Sequence, residues 1–158
     1  KNKFQFQFSI HSTDLKQRDW LIPVKKWSFE KMAEFGEIFH KDNQQKITLN
    51  FALADNMIVE PDVLLKHFNP DEFLIKVTPI NPTFKAKKNN LDSSFSKSSK
   101  QNVIIDNLRN AGYEVIISIG DLTENEIGSN CGQHVMNFLE NKVKLKNSYT
   151  FPIQKYLI

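Results

Sequence analysis

The residue best suited to covalent chemistry is Cys131, the single cysteine among 158 residues. Its thiolate would be a strong nucleophile, and His134 or His11 could act as its base, as in a cysteine hydrolase. A lone cysteine is also commonly a small buried hydrophobic residue. One cysteine excludes an internal disulfide, a four-cysteine zinc site and an iron–sulfur cluster held by this chain's thiolates alone.

Three polar residues, Ser9, His11 and Asn81, follow or end predicted strands. The carboxyl ends of parallel strands share one rim, so these side chains could together bind a small ligand with several hydrogen-bonding groups. Local explanations stay open, because His11 could cap the following turn and Asn81-Pro82 is a common turn dipeptide. The sequence has no Gly-rich dinucleotide loop or phosphate loop, and its four histidines lack metal-ligand spacing.

Hydrophobic periodicity predicts the elements that would position these residues. Strands are predicted at about 3–10, 47–54, 73–80 and 113–119, helices at about 15–18, 29–40, 59–68, 102–110 and 133–140, and a mobile loop at 85–100. Alternating strands and helices favour a parallel sheet with helical crossovers, either an open α/β sheet or part of a barrel. Four strands are too few for an eight-stranded barrel.

Composition narrows the class of protein. The chain is 40% hydrophobic and 25% charged, as is usual for a globular domain, and it lacks an apolar run of membrane-spanning length. Its net charge of +3 is too small to indicate nucleic-acid binding by itself. A cytoplasmic protein with no membrane association and no implied protein partner is predicted.

Three segments of the sequence match short motif patterns at similar spacing. The first segment is similar to the motifs S-L-H-A and L-R-D and to a hydrophobic-P-I-N-K-K run. It consists of Phe8-Ser9-Ile10-His11-Ser12-Thr13, followed by Arg18-Asp19 and Leu21-Ile22-Pro23-Val24-Lys25-Lys26. Thr78-Pro79-Ile80-Asn81-Pro82 looks like P-F-N-P, and Glu124-Asn125-Glu126-Ile127 with Cys131-Gly132-Gln133 looks like G-D-D-I…A-C-G-Q. Together these segments resemble the motifs of the radical S-adenosylmethionine adenine methyltransferases, and they occur in the order of that family and at strand ends.

The resemblance implies a fold, cofactors and residue roles. It implies half of a radical-S-adenosylmethionine (β/α)₆ barrel, with about four mainly parallel strands and flanking helices. Ser9, Ile10, His11 and Asn81 would contact S-adenosylmethionine, and Cys131 would be the catalytic residue that carries a methyl group as S-methylcysteine. A 4Fe–4S cluster would be the second cofactor, and ribosomal RNA or transfer RNA would be the partner.

Two departures from the family pattern bear on these expectations. The three-cysteine cluster motif does not occur in the sequence, so residues 1–158 are predicted to be the C-terminal part of a longer core domain, with no metal ligands and no activity alone. The family's basic pair is replaced at residues 121–123. A paralogue with a non-RNA substrate and a non-catalytic α/β module that binds a small ligand remain the alternatives.

Overall fold

The computed structural model of the chain describes residues 4–81, 83–91 and 99–120. In chain order the elements are β1 (Gln7–Ser9), α1 (Leu15–Leu21), α2 (Phe29–Asn43), β2 (Ile47–Leu53), α3 (Pro61–Leu65), β3 (Phe73–Pro79), α4 (Phe84–Lys88), α5 (Ser99–Asn110) and β4 (Val115–Ile117). No helix in these ranges is long and apolar enough to cross a membrane.

The four strands form one parallel sheet in the order β1-β2-β3-β4. Strand order therefore follows chain order, without the reversal that divides a doubly wound open sheet. Successive parallel strands joined by right-handed crossovers carry their helices on one face, which is the arrangement of a β/α barrel wall. The sheet is an arc of a barrel, as predicted.

The two faces of the sheet differ in chemistry. On the helix-facing side, alternate residues of β2 and β3 are completely buried. These residues are Ile47, Leu49, Phe51, Leu53, Phe73, Ile75 and Val77. The residues between them project to the opposite face, because side chains alternate along a strand. That inner face includes Ser9, Asn50 and Lys76, which are neighbours in the register of β1, β2 and β3.

Local sequence explains where α2 begins and ends. The Ser28 hydroxyl accepts a hydrogen bond from the Lys31 amide, as a helix N-cap does. The helix ends where Gln44 adopts a left-handed conformation at φ 56°. Between these ends, Gly36 lets the helix backbone approach the sheet, because a Cβ there would lie 2.2 Å from the Phe73 ring.

The elements predicted within the described residues are present with adjusted bounds, but the prediction for residues 85–100 was partly wrong. Residues 85–88 belong to α4, and α5 begins at Ser99 instead of about 102. The α4 turn forms because the Thr83 hydroxyl accepts from the Ala86 amide at 3.2 Å, and because Ala86 is buried. Sequence composition does not reveal such a contact. The helix predicted at about 133–140 lies outside the described residues.

Candidate functional site

A cleft of about 460 Å³ opens beside the carboxyl ends of β1, β2 and β3. Its volume lies within the range of about 300–1,000 Å³ that is typical of small-molecule sites. Its walls are formed by His11, Trp20, Leu21, Pro23, Ala52, Met57, Ile80, Asn81, Thr83, Ala86, Asn89 and Leu91. Two residues predicted from the sequence, His11 and Asn81, are thus brought to one cavity, although 70 positions separate them in the chain.

His11 is held by backbone contacts at the end of β1. It adopts a left-handed conformation at φ 63°, which is uncommon for a residue other than glycine. Its Nδ1 accepts a hydrogen bond from the Ala52 amide at 3.0 Å. Nδ1 therefore carries no proton, and the neutral ring has its N–H at Nε2. His11 offers the cleft a hydrogen-bond donor.

The charge state of His11 is set by its surroundings. Burial lowers the pKa of the imidazole, and the positive charge of Arg18 lowers that pKa further. Arg18 is only 3% exposed. Its guanidinium donates to the Trp27 carbonyl at 3.3 Å and lies 4.9 Å from the centre of the Phe29 ring. The ring of His11 is therefore neutral at physiological pH.

Asn81 supplies the complementary group. Its side-chain oxygen, Oδ1, is buried and accepts no hydrogen bond from the described part of the chain. A buried acceptor without a donor costs free energy, so a ligand that donates to this oxygen would bind favourably. The Asn81 backbone carbonyl accepts from the Thr83 amide at 2.7 Å, which joins the end of β3 to the α4 wall of the cleft.

Ser9 and Ile10 do not line this cleft. Ser9 is exposed on the inner face of the sheet, opposite Asn50 in the register. The Ile10 side chain is completely buried in the core, its amide donates to the Asn50 carbonyl and its own carbonyl accepts from the Ser12 amide. Their contact with S-adenosylmethionine stays a prediction.

Cys131 and His134 lie outside the described residues, and so does residue range 121–127. The catalytic role of Cys131 therefore stays a prediction. Within the ranges that are described, no three His, Cys, Asp or Glu side chains are grouped so that they could hold a metal ion.

Sequence reasoning did not predict two walls of the cleft. One wall is the end of α1 with the following turn, from Trp20 to Pro23, and the other is Thr83 to Leu91. Trp20 could have been recognised from the sequence as a cleft residue. A tryptophan between Asp19 and Leu21 in a short polar helix has few core residues to pack against. The second wall, Thr83 to Leu91, could not have been recognised in this way, because its composition resembles that of a solvated loop.

Comparison with known proteins supports this fold. No protein-family model matches the sequence, and no curated protein is significantly similar to it. Among solved structures, a radical SAM methyltransferase from Sphaerobacter thermophilus is similar, with a TM-score of 0.58 and 18% sequence identity. The similarity covers 83% of this chain and 38% of that chain. This chain therefore spans well under half the length of its structural neighbour and shares its fold over that part.

The likeness confirms the predicted fold class. A four-stranded parallel sheet with flanking helices matches part of the radical-SAM barrel. At 18% identity the likeness shows the fold alone.

Proposed function

We propose that this chain is part of a radical S-adenosylmethionine methyltransferase and that the cleft binds S-adenosylmethionine. The observation that carries the proposal is the meeting of His11 and Asn81 in one cleft at the carboxyl ends of the strands. This is the edge of a β/α barrel where functional groups collect. The structural neighbour, described as a radical SAM methyltransferase, supports the same class of enzyme.

The chemistry of the cleft fits this cofactor. S-adenosylmethionine carries amino and hydroxyl donors, carboxylate and ring-nitrogen acceptors, and an adenine ring. Asn81 Oδ1, which has no donor among the described residues, would accept from one of its donors, and His11 Nε2–H would donate to one of its acceptors. One molecule of the cofactor would supply the methyl group, and a second, after one-electron reduction by the cluster, would supply the radical that methylation of an unactivated ring carbon requires. Neutral His11 would also avoid repulsion with the positive sulfonium.

The residues of this chain do not fit the iron–sulfur cluster. A cluster held by three thiolates cannot form on one cysteine. The described residues offer no alternative group of metal ligands. We therefore assign the cluster ligands to protein outside residues 1–158.

Cys131 is the proposed methyl carrier. Its thiolate would attack the sulfonium methyl, forming a sulfur–carbon bond on Cys131 while S-adenosylhomocysteine leaves, after the thiol proton has passed to solvent. The proposed final acceptor is an adenine in ribosomal RNA or transfer RNA. That choice depends on the similarity of the 124–127 and 131–133 segments to the family motifs.

The test uses the intact protein, reconstituted anaerobically with iron and sulfide and supplied with a reductant, S-adenosylmethionine and RNA. We expect a cluster absorption spectrum, release of 5′-deoxyadenosine and methylated adenine in the RNA. Cys131→Ala should abolish methyl transfer while the circular dichroism spectrum is unchanged. A folded protein that forms no cluster and does not cleave S-adenosylmethionine would overturn the proposal.

A matched pair of variants tests the cleft itself. Asn81→Ala should weaken S-adenosylhomocysteine binding severalfold in calorimetry. Asn50→Ala is the control, because Asn50 Oδ1 is also buried and unpaired within the described residues but does not line the cleft. Equal loss of affinity in both variants would contradict the assignment of Asn81.

A further inference from the structure

The two tryptophans of this chain lie in different surroundings. Trp27 packs against Phe35, with ring centres 5.6 Å apart, and Lys31 Nζ lies 4.9 Å from the centre of its ring. Trp20 has no aromatic or cationic partner among the described residues, and it is 53% exposed. Within the described residues, the Trp20 ring is therefore a large planar surface that makes no aromatic or cation–π contact.

Trp20 lines the same cleft as His11 and Asn81. We propose that the Trp20 indole is a stacking surface for a purine ring bound in this cleft. The proposal rests on the proposed function and deepens it, because both the cofactor and the proposed acceptor carry an adenine ring. It assigns to Trp20 a role in recognising the ring.

The helix that carries Trp20 is held in place from several sides. The Asp14 carboxylate accepts from the Gln17 amide at 2.7 Å and caps α1. The Gln17 side chain accepts from the Ile58 amide at 2.8 Å, which ties α1 to the segment after β2. Arg18 is buried, and Trp20, two residues on, projects about 200° around the helix from it. Trp20 is thus presented on a fixed support, which lowers the entropic cost of binding.

The rest of the cleft is suited to a flat ring with a polar edge. Leu21, Pro23 and Met57 supply apolar surface. Asn81 Oδ1, which accepts no hydrogen bond from the described residues, supplies an acceptor, and asparagine amides commonly pair with the amino edge of adenine. An aromatic side chain combined with a few convergent polar groups is the usual composition of a nucleobase site.

The test measures ligand affinity in the intact protein with two probes. S-adenosylhomocysteine carries the cofactor's ring, and the dinucleotide ApA carries the acceptor's ring. Trp20→Ala should weaken binding of one probe by about tenfold or more, the effect expected for loss of one stacked base. Trp20→Phe should restore most of the affinity, because it retains an aromatic face. Trp27→Phe is the matched control and should leave both affinities unchanged.

Each outcome has a defined meaning. Loss confined to S-adenosylhomocysteine assigns the stacked ring to the cofactor, and loss confined to ApA assigns it to the acceptor. If Trp20→Ala binds both probes as the wild type does, the proposal is wrong, although the proposed function stands. If Trp20→Phe is as weak as Trp20→Ala, stacking is not the cause and the proposal is also wrong. A wild-type protein that binds neither probe and does not cleave S-adenosylmethionine overturns the proposed function instead.

Discussion

At the scale of single residues, His11 shows how one side chain can serve both the fold and the site. Its Nδ1 pairs with the Ala52 amide and links the end of β1 to β2, while its Nε2–H is left as a donor. The left-handed backbone costs free energy for a residue with a Cβ, so the surrounding contacts must stabilise it. Loss of this side chain is expected to affect stability as well as binding.

The lowered pKa of His11 predicts acid sensitivity. The unfolded chain takes up a proton near pH 6.5, whereas the folded protein does so only at lower pH. The free energy of unfolding should therefore be constant above about pH 7 and fall as the pH drops below about 6.5. Urea denaturation at pH 7.5 and pH 5.5 measures this difference.

The control for this prediction is His11→Asn. Asparagine tolerates a left-handed backbone and has an acceptor, but it does not titrate. The variant should lose less stability than the wild type between pH 7.5 and pH 5.5. Equal losses in the two proteins would show that His11 does not cause the acid sensitivity.

At the scale of elements, the distance between α2 and the sheet depends on one glycine. Gly36 faces the Phe73 ring so closely that no Cβ fits without movement. Phe73 is completely buried and packs on Phe68, with ring centres 5.0 Å apart. The ring therefore has little room to move away, and the helix and strand are coupled at this point.

Gly36→Ala should consequently destabilise the protein, although alanine normally stabilises a helix relative to glycine by about 0.5–1 kcal/mol. Overpacking should lower the free energy of unfolding by about 1–3 kcal/mol in denaturant titrations. Phe73→Leu should relieve part of this loss, so the double variant should be more stable than the sum of single effects predicts. Strict additivity would mean that the ring and the new methyl group do not clash.

At the scale of the whole molecule, the sheet has an apolar side covered by helices and an inner side with polar groups. Leu49 is completely buried on the helix side. Asn50 follows it on the inner side, between Ser9 and Lys76 in the register. Parallel sheets are usually apolar on both sides, so the polar residues on this inner face depart from the common pattern.

This division predicts effects of very different size for substitutions at two neighbouring positions. Leu49→Ala should lower the free energy of unfolding by about 2–5 kcal/mol, because it leaves a cavity in the core. Asn50→Ala should change it by less than about 1 kcal/mol, because the lost Oδ1 has no hydrogen-bond partner in the described structure. Chemical denaturation of both variants is the measurement, and similar losses would contradict the two-sided description.

The sequence predicts those features of the fold that depend on residues close together in the chain better than those that depend on residues far apart. Short, mostly apolar runs predicted β2 and β3 to within one residue at their carboxyl ends, and Ser28 predicted the start of α2, because these signals are local. The sequence did not predict α4, because the start of this helix depends on a single hydrogen bond to the Thr83 hydroxyl and on burial of Ala86. It also left the cleft walls unpredicted, since they join segments distant along the chain.

By itself, the sequence determined the alternation of strands and helices, and it singled out His11 and Asn81 as strand-end polar groups. Those properties follow from side-chain type and spacing alone. Only the tertiary structure decided that the strands pair in chain order, that His11 is neutral with its proton on Nε2, and that Trp20 meets Asn81 in one cleft. These depend on which distant backbone amides, charges and walls surround each group, and chain folding brings them together.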